Sequence, residues 1–325
     1  MSWRGTSVLV TGATGVVGAS LCARLVAEGA DVVAFVRDWD PRSELVRAGT
    51  IGACRVVQGA LEDYAAVERA VSEHEVETVI HLGAQAIVGV ALRSPLLTFE
   101  SNIRGTYNLL EACRVHSALV KSVVVASSDK AYGDSDLLPY VEEMPLKGRH
   151  PYDVSKSCTD LIAHTYAHTY GLPVTIARCG NIYGGGDLNW SRIVPGTIRA
   201  VLEERAPMLR SNGTNLRDYI FVDDVVDAYL QLALRSREEG IRGEAFNFSP
   251  ESRLSVLDMT AAVLRAMGRS DLQPVIQGGG KAEIQDQYLN SEKARTRLQW
   301  RPAHDLEAGL ARTIPWYRDF LGARP

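Results

Sequence analysis

The chain alternates short apolar runs with longer stretches of helical spacing. Residues 7–10, 32–36, 55–57, 78–81, 122–126, 174–177 and 245–248 are rich in Val and Ile and show little in-out alternation. Strands buried on both faces of a parallel sheet have that pattern. Between them, residues 18–28, 64–74, 98–116 and 153–170 carry the spacing of helices. The β-α-β-α rhythm predicts an α/β fold with a doubly wound parallel sheet. The rhythm weakens after about Asn181, where Gly184-Gly185-Gly186 and Pro195 punctuate the chain. Helices are expected there near 195–204, 222–235 and 255–267. The expected division is a first part over 1–180 and a smaller lobe over 181–325 that covers the carboxyl edge of the sheet. The two parts are interleaved, because the strand near 245–248 returns to the main sheet.

Composition narrows the function classes. The 325 residues, 46% apolar and 23% charged, suit a globular chain of about two units and exclude a disordered, collagen-like or coiled-coil chain. Lys plus Arg is 35 against 39 Asp plus Glu, a formal charge of -4. No basic field draws a phosphate backbone, and Trp3, Trp39 and Trp190 are dispersed rather than set as a stacking platform, so no nucleic-acid partner is expected. The apolar runs are strand-sized, so no membrane partner is expected either. Residues 1–5 lead directly into Val8-Leu9-Val10, so no signal peptide is expected. Cys22, Cys54, Cys113, Cys158 and Cys179 are scattered, with no CxxC, and read as reduced thiols of a cytoplasmic protein.

Chemistry enters at Thr11-Gly12-Ala13-Thr14-Gly15-Val16-Val17-Gly18, between the first strand and the first helix. Gly12 permits the tight turn, Gly15 lets the backbone approach a pyrophosphate, and Gly18 allows close helix-strand packing. The helix N-terminus then faces the negative charge. The second strand ends at Val36-Arg37-Asp38. Asp38 is placed to hold the ribose hydroxyls of NAD, whereas Arg37 suits a 2′-phosphate. NAD is the expected cofactor, with NADP the alternative.

Tyr152-Asp153-Val154-Ser155-Lys156 sets Tyr and Lys one helical turn apart, hence on one face. A phenol with a pKa near 10 is a poor base at neutral pH. A nearby ammonium and a positive nicotinamide are expected to lower it, so that Tyr152 takes a hydroxyl proton while hydride leaves the same carbon.

With these motifs the sequence resembles the extended short-chain dehydrogenase/reductase family, in particular its nucleotide-sugar 4,6-dehydratases and epimerases. The matching segments are TGATGVVG, HLGAQ (81–85), SNIRGTYNLLEACR (101–114), SSDKAYG (127–133), PYDVSK, ARCGNIYGGGD (177–187) and RDYIFVDD (217–224). They follow in family order from about residue 6 to 302. The resemblance implies a Rossmann-type N-terminal part, a smaller C-terminal lobe that binds a nucleotide-diphosphate sugar, and a homodimer through helices 98–116 and 153–170. It implies cofactor contacts at Gly12, Thr14, Gly15, Val16, Val17, Gly18, Arg37, Asp38, Leu61, Leu82, Gly83, Ala84, Ala126, Tyr152 and Lys156. The family's acidic residue after the third strand's glycine is missing. Gly59 is followed by Ala60-Leu61, so that contact falls to the backbone or to another side chain.

Within the family, Ser128 fits the Ser/Thr that hydrogen-bonds the reacting sugar hydroxyl. An epimerase needs little beyond Ser128, Tyr152 and Lys156. A 4,6-dehydratase needs an acid and a base as well, and Asp129-Lys130 resembles the Asp-Lys pair of CDP-glucose 4,6-dehydratases. By that likeness Asp129 is the acid toward the C6 hydroxyl and Lys130 the C5 base. Lysine ordinarily titrates near 10.4, so Lys130 needs desolvation or neighbouring positive charge to act. Asn181 to Asp187, with Arg192-Ile193-Val194-Pro195, follows the same branch. Arg217-Asp218-Tyr219 instead resembles UDP- and dTDP-sugar enzymes, which leaves the nucleotide base open. Gln85, Ser128, Asn181, Arg192 and Arg217 are the expected substrate contacts, the two arginines toward the diphosphate. The expected activity is that of an NAD-dependent NDP-hexose 4,6-dehydratase. Its rivals are a 4-epimerase, a UDP-glucuronate decarboxylase and a silent NAD(P)-sensing scaffold.

Two further signals are discounted. His164 and His168 are four apart, but no third ligand follows and no metal is expected. Gly278-Gly279-Gly280-Lys281 departs from a phosphate-binding loop at Val275 and Ala282 and reads as a mobile loop.

Overall fold

The computed structural model describes residues 3–278 and 284–322. Its strands are β1 (Ser7–Thr11), β2 (Asp31–Val36), β3 (Arg55–Gln58), β4 (Thr78–His81), β5 (Ser122–Ala126), β6 (Val174–Cys179), β7 (Asn181–Tyr183), β8 (Met208–Leu209), β9 (Leu216–Phe221), β10 (Ala245–Phe248), β11 (Arg253–Ser255), β12 (Val275–Ile276) and β13 (Asp286–Gln287). Its helices are α1 (Val16–Ala27), α2 (Glu44–Arg47), α3 (Tyr64–Glu73), α4 (Val88–Arg93), α5 (Pro95–Phe99), α6 (Gly105–Val115), α7 (Pro151–Tyr170), α8 (Ile193–Leu202), α9 (Val222–Arg235), α10 (Val256–Ala266) and α11 (Leu306–Phe320).

Seven strands form the main sheet in the order β10-β6-β5-β4-β1-β2-β3, with every neighbouring pair parallel. β1 shows why the apolar runs lack alternation. Val8 and Val10 join a core with Leu21 and Leu25 of α1 and Val225 of α9. Leu9, between them, joins a second core with Val67 of α3 and Leu109 of α6. A strand covered on both faces favours apolar side chains at successive positions. From β1 the chain winds outward to β2 and β3, then crosses back to β4 on the other side of β1. The winding reverses there, and a crevice opens at the carboxyl ends of β1 and β4. β10 closes the far edge beside β6.

The segment 98–116 departs from a plain helix. Pro95 starts α5 early, and residues Glu100–Arg104 form a wide π turn before α6. Asn102 occupies that turn, and its backbone carbonyl accepts from Thr106 Oγ1 at 2.5 Å and Thr159 Oγ1 at 3.0 Å. Hydroxyls that insert into the helical ladder widen a turn in this way.

After Asn181, β10 joins the main sheet and α9 packs against it, while the other elements build the cover. β9 pairs with β7, β11 and β13, and β8 pairs with β12. A third core joins Tyr183, Ile198, Phe221, Met259 and Tyr317 from β7, α8, β9, α10 and α11. Among the described residues no helix is long and apolar enough to cross a membrane. Apart from Gly278, the expected loop at Gly278-Gly279-Gly280-Lys281 lies outside the described residues.

Candidate active site

A cleft of about 1440 Å³ opens at the crevice, between the main sheet and its cover. Every expected cofactor residue from Gly12 to Lys156 lines it, as do Ser128, Asp129, Lys130, Asn181, Arg192 and Arg217.

The glycine turn is shaped by backbone crowding. Gly12 has φ +68, and a Cβ on Gly18 would lie 2.1 Å from the Gly12 carbonyl oxygen. Thr11 Oγ1 accepts from Gly83 N at 3.0 Å and bonds His81 Nδ1 at 2.8 Å, tying the turn to the end of β4. His81 is fully buried, and burial pushes its imidazole down to about 3, so it is neutral. No side chain caps α1 at Gly15. Its first N–H groups and the positive end of its dipole therefore remain available to an anion in the cleft. These features fit a pyrophosphate. At the end of β2, Arg37 Nε donates to Asp38 Oδ2 at 2.7 Å. The two neighbours that pointed to different cofactors bind each other.

α7 carries Tyr152 on its first turn and Lys156 one turn later. Lys156 is buried, and its Nζ donates to the Ala126 carbonyl oxygen at 2.7 Å. Burial pushes this amine down to about 8, against the attraction of Asp160. For Tyr152 the protein's own groups do not supply the expected lowering. Burial pushes its phenol up to about 12, against the hydrogen bond with Ser128 and the charge of Arg192. Desolvating the phenolate outweighs the cations that the protein itself brings near.

Ser128 Oγ donates to Asp129 Oδ1 at 2.9 Å and accepts from Lys130 N at 3.2 Å. This fixes the short 3-10 turn Asp129–Tyr132 at the cleft. Asp129 is 4% exposed, and its Oδ2 has no hydrogen-bond partner. Burial raises its pKa from the ordinary carboxylate value, with Lys130 and Ser128 opposing. A carboxyl in that setting can hold a proton and give it up. Lys130 Nζ donates to Gln287 Oε1 at 3.1 Å.

Arg192, at the N-cap of α8, donates through Nη1 to Asp187 Oδ2 at 2.8 Å. Arg217 is more constrained than expected. Its Nη1 donates to the carbonyls of Leu216 and Gln285, and its Nη2 to that of Ile284. The structure does not bring Gln85 to the cleft wall. Asn102 accepts from Gln85 N at 2.6 Å, and Gln85 Oε1 turns back onto Ile87 N at 3.0 Å.

Two groups near the site escaped sequence reasoning. Asp153, beside Tyr152, is buried and lines the cleft, and burial raises its pKa against the charges of Lys130 and His150. Its place directly after the Tyr was the available signal. Gln287 stands 157 positions from the lysine it bonds, and nothing local in the sequence marks it.

A family model described as the NAD dependent epimerase/dehydratase family matches residues 8–248. Over 324 residues the chain is 32% identical to the dTDP-glucose 4,6-dehydratase of Mycobacterium tuberculosis, covering 96% of this chain and 93% of that one. Over 335 residues it is 27% identical to the CDP-glucose 4,6-dehydratase of Salmonella typhimurium, covering 98% and 92%. The crystal structure of a UDP-glucose 4-epimerase from Thermotoga maritima, solved with UDP-glucose, matches with a TM-score of 0.87 at 28% identity. That match covers 97% of this chain and 100% of the other.

Proposed function

The chain belongs to the NAD dependent epimerase/dehydratase family, and we propose that within it this protein is an NDP-hexose 4,6-dehydratase of deoxysugar synthesis. The open end of α1 and the turn from Gly12 to Gly18 would hold the NAD pyrophosphate, and Asp38 the adenosine ribose. Bound NAD supplies a hydride acceptor for C4, a hydride donor for C6, and the positive charge that offsets the burial of Tyr152.

The protein's own groups move the protons. Ser128 holds the C4 hydroxyl, and Tyr152 takes its proton as C4 is oxidised. The resulting ketone acidifies the C5 proton, which Lys130 takes as a free amine. Asp129, as a neutral acid, protonates the C6 oxygen, which leaves as water, and the Lys130 ammonium gives a proton back to C5 as C6 receives hydride. Arg192, Arg217 and Asn181 hold the diphosphate end of the substrate. Asp129 carries the reading: it is buried beside Ser128, burial raises its pKa from the ordinary value, and one oxygen is unpartnered.

Similarity to the Thermotoga epimerase supports a second reading. In a 4-epimerase Ser128, Tyr152 and Lys156 suffice, and Asp129 and Lys130 stay idle. Incubation with a panel of NDP-hexoses followed by mass spectrometry separates the two. Loss of water supports the dehydratase, and an isobaric product supports the epimerase.

The active form is a homodimer joined through the 98–116 segment and α7. Exposed apolar side chains on that side support this, among them Leu96 on α5 (71% exposed), Tyr107 on α6 and Leu161 on α7 (56% exposed).

A further inference from the structure

Lys130 is held at both ends by partners of different kinds. Its backbone N–H is fixed by Ser128. Its Nζ reaches Gln287 on β13, a strand that pairs in parallel with β9 and sets Gln287 opposite Arg217. Lys130 is half-buried, whereas Gln287 is completely buried. The Gln287 amide uses only its oxygen here. Its Nε2 is buried without an acceptor, which is rare in folded proteins because a dry N–H has lost its water and gained nothing.

A side-chain amide carries a donor and an acceptor at equal reach. An ammonium can only donate, so Gln287 must show it the oxygen. A free amine has a lone pair, so a half-turn of the amide can show it the N–H. That half-turn gives the orphan donor a partner and leaves a carbonyl oxygen unpaired instead, which proteins tolerate better. The charged groups facing Lys130 all favour the ammonium or act at one remove. Asp129 lies on its own turn and Asp153 on α7, each coupled to its charge, while Arg217 faces Asp129 from β9. Gln287 is the neutral partner able to serve the free amine.

We propose that Gln287 is a positioning residue for Lys130, holding its nitrogen at the cleft as ammonium and as free amine by turning its buried amide. The proposal rests on the reading of Lys130 as the C5 base. It is tested on the full chain with NAD by acetic anhydride labelling of Lys130 across pH, read by peptide mass spectrometry. That readout needs no turnover.

Gln287→Glu keeps the length and replaces the amide by a group that only accepts. A carboxylate at this distance favours the ammonium by about one to three pH units. The midpoint of Lys130 labelling should rise by at least about one unit, and an unchanged midpoint overturns the proposal. Should that variant fail to fold, Gln287→Met removes the hydrogen bond at similar length. Lys130 should then label faster above its midpoint because nothing holds its nitrogen, and an unchanged rate overturns the proposal. If the midpoint moves while the parent enzyme exchanges no deuterium at substrate C5, Gln287 stands as the partner of Lys130, and the dehydratase reading alone fails.

Discussion

Ser128 donates its hydroxyl hydrogen to Asp129 Oδ1 at 2.9 Å, while the other Asp129 oxygen is buried with no partner. One half of the carboxyl is thus oriented and the other half is free to carry a proton. Burial raises its pKa above the ordinary carboxylate value. The folded chain therefore binds more protons than the unfolded chain, from that ordinary value upward. Stability falls as pH rises through this window. Asp129→Asn cannot ionise, so near pH 7 it should be more stable than the parent, by about 1.4 kcal/mol for each pH unit by which burial raises the carboxyl. Below the ordinary carboxylate value of about 3.9 the gain should vanish. Thermal unfolding at both pH values measures this, and an equal gain at both would show that charge burial is not its cause.

Gly15 tests the cofactor assignment without attacking the fold. A Cβ there would meet only the Gly12 carbonyl oxygen, at 3.3 Å, so the neighbour must give by a few tenths of an ångström. Gly15→Val should keep its melting temperature but lose at least tenfold in NAD affinity, about 1.4 kcal/mol, because its methyl groups stand where the pyrophosphate approaches. NAD titration followed by tryptophan fluorescence reads the loss. Parental affinity in this variant would place the cofactor elsewhere.

Tyr152→Phe should fold and bind NAD while turnover falls by about 10²–10⁴, the usual share of a general base. Single-turnover absorbance of reduced nicotinamide follows the oxidation directly. A variant within a few-fold of the parent would remove Tyr152 as the proton acceptor.

Leu96 and Leu161 test the proposed dimer. A charge at either exposed site costs the monomer little, yet at a helix-helix interface it must be desolvated. Leu96→Asp combined with Leu161→Asp should convert a dimer into a monomer in sedimentation. A parent that sediments as a monomer would remove the dimer.

The framework was legible because burial on both faces leaves a simple mark. The runs around Val8-Leu9-Val10 and Val123-Val124-Val125 read as strands buried on both faces, and each is a central strand of the sheet. The glycine turn and the Tyr152–Lys156 pair are local patterns and were equally visible. Features made by distant packing were not. The π turn at Asn102 depends on hydroxyls from Thr106 and from Thr159, on another helix. The motif around Gln85 points to a substrate contact, but its backbone N–H bonds Asn102 and its side-chain oxygen turns back onto Ile87 N. The rise in the Tyr152 pKa came from burial, which spacing along a helix does not report. Gln287 meets Lys130 because β13 pairs with β9, and no local pattern announces that pairing.

As proposed, Asp129 and Lys130 add an elimination to the redox chemistry of Ser128, Tyr152 and Lys156. The most direct measurement follows Lys130→Met and the parent on one NDP-hexose in deuterium oxide, reading reduced-nicotinamide absorbance and product mass from the same samples. The parent should lose water and carry deuterium at C5, whereas Lys130→Met should oxidise C4, accumulate bound reduced cofactor and take no deuterium into C5. Full dehydration by Lys130→Met, or a parent product of unchanged mass inverted at C4, would remove the elimination from Asp129 and Lys130.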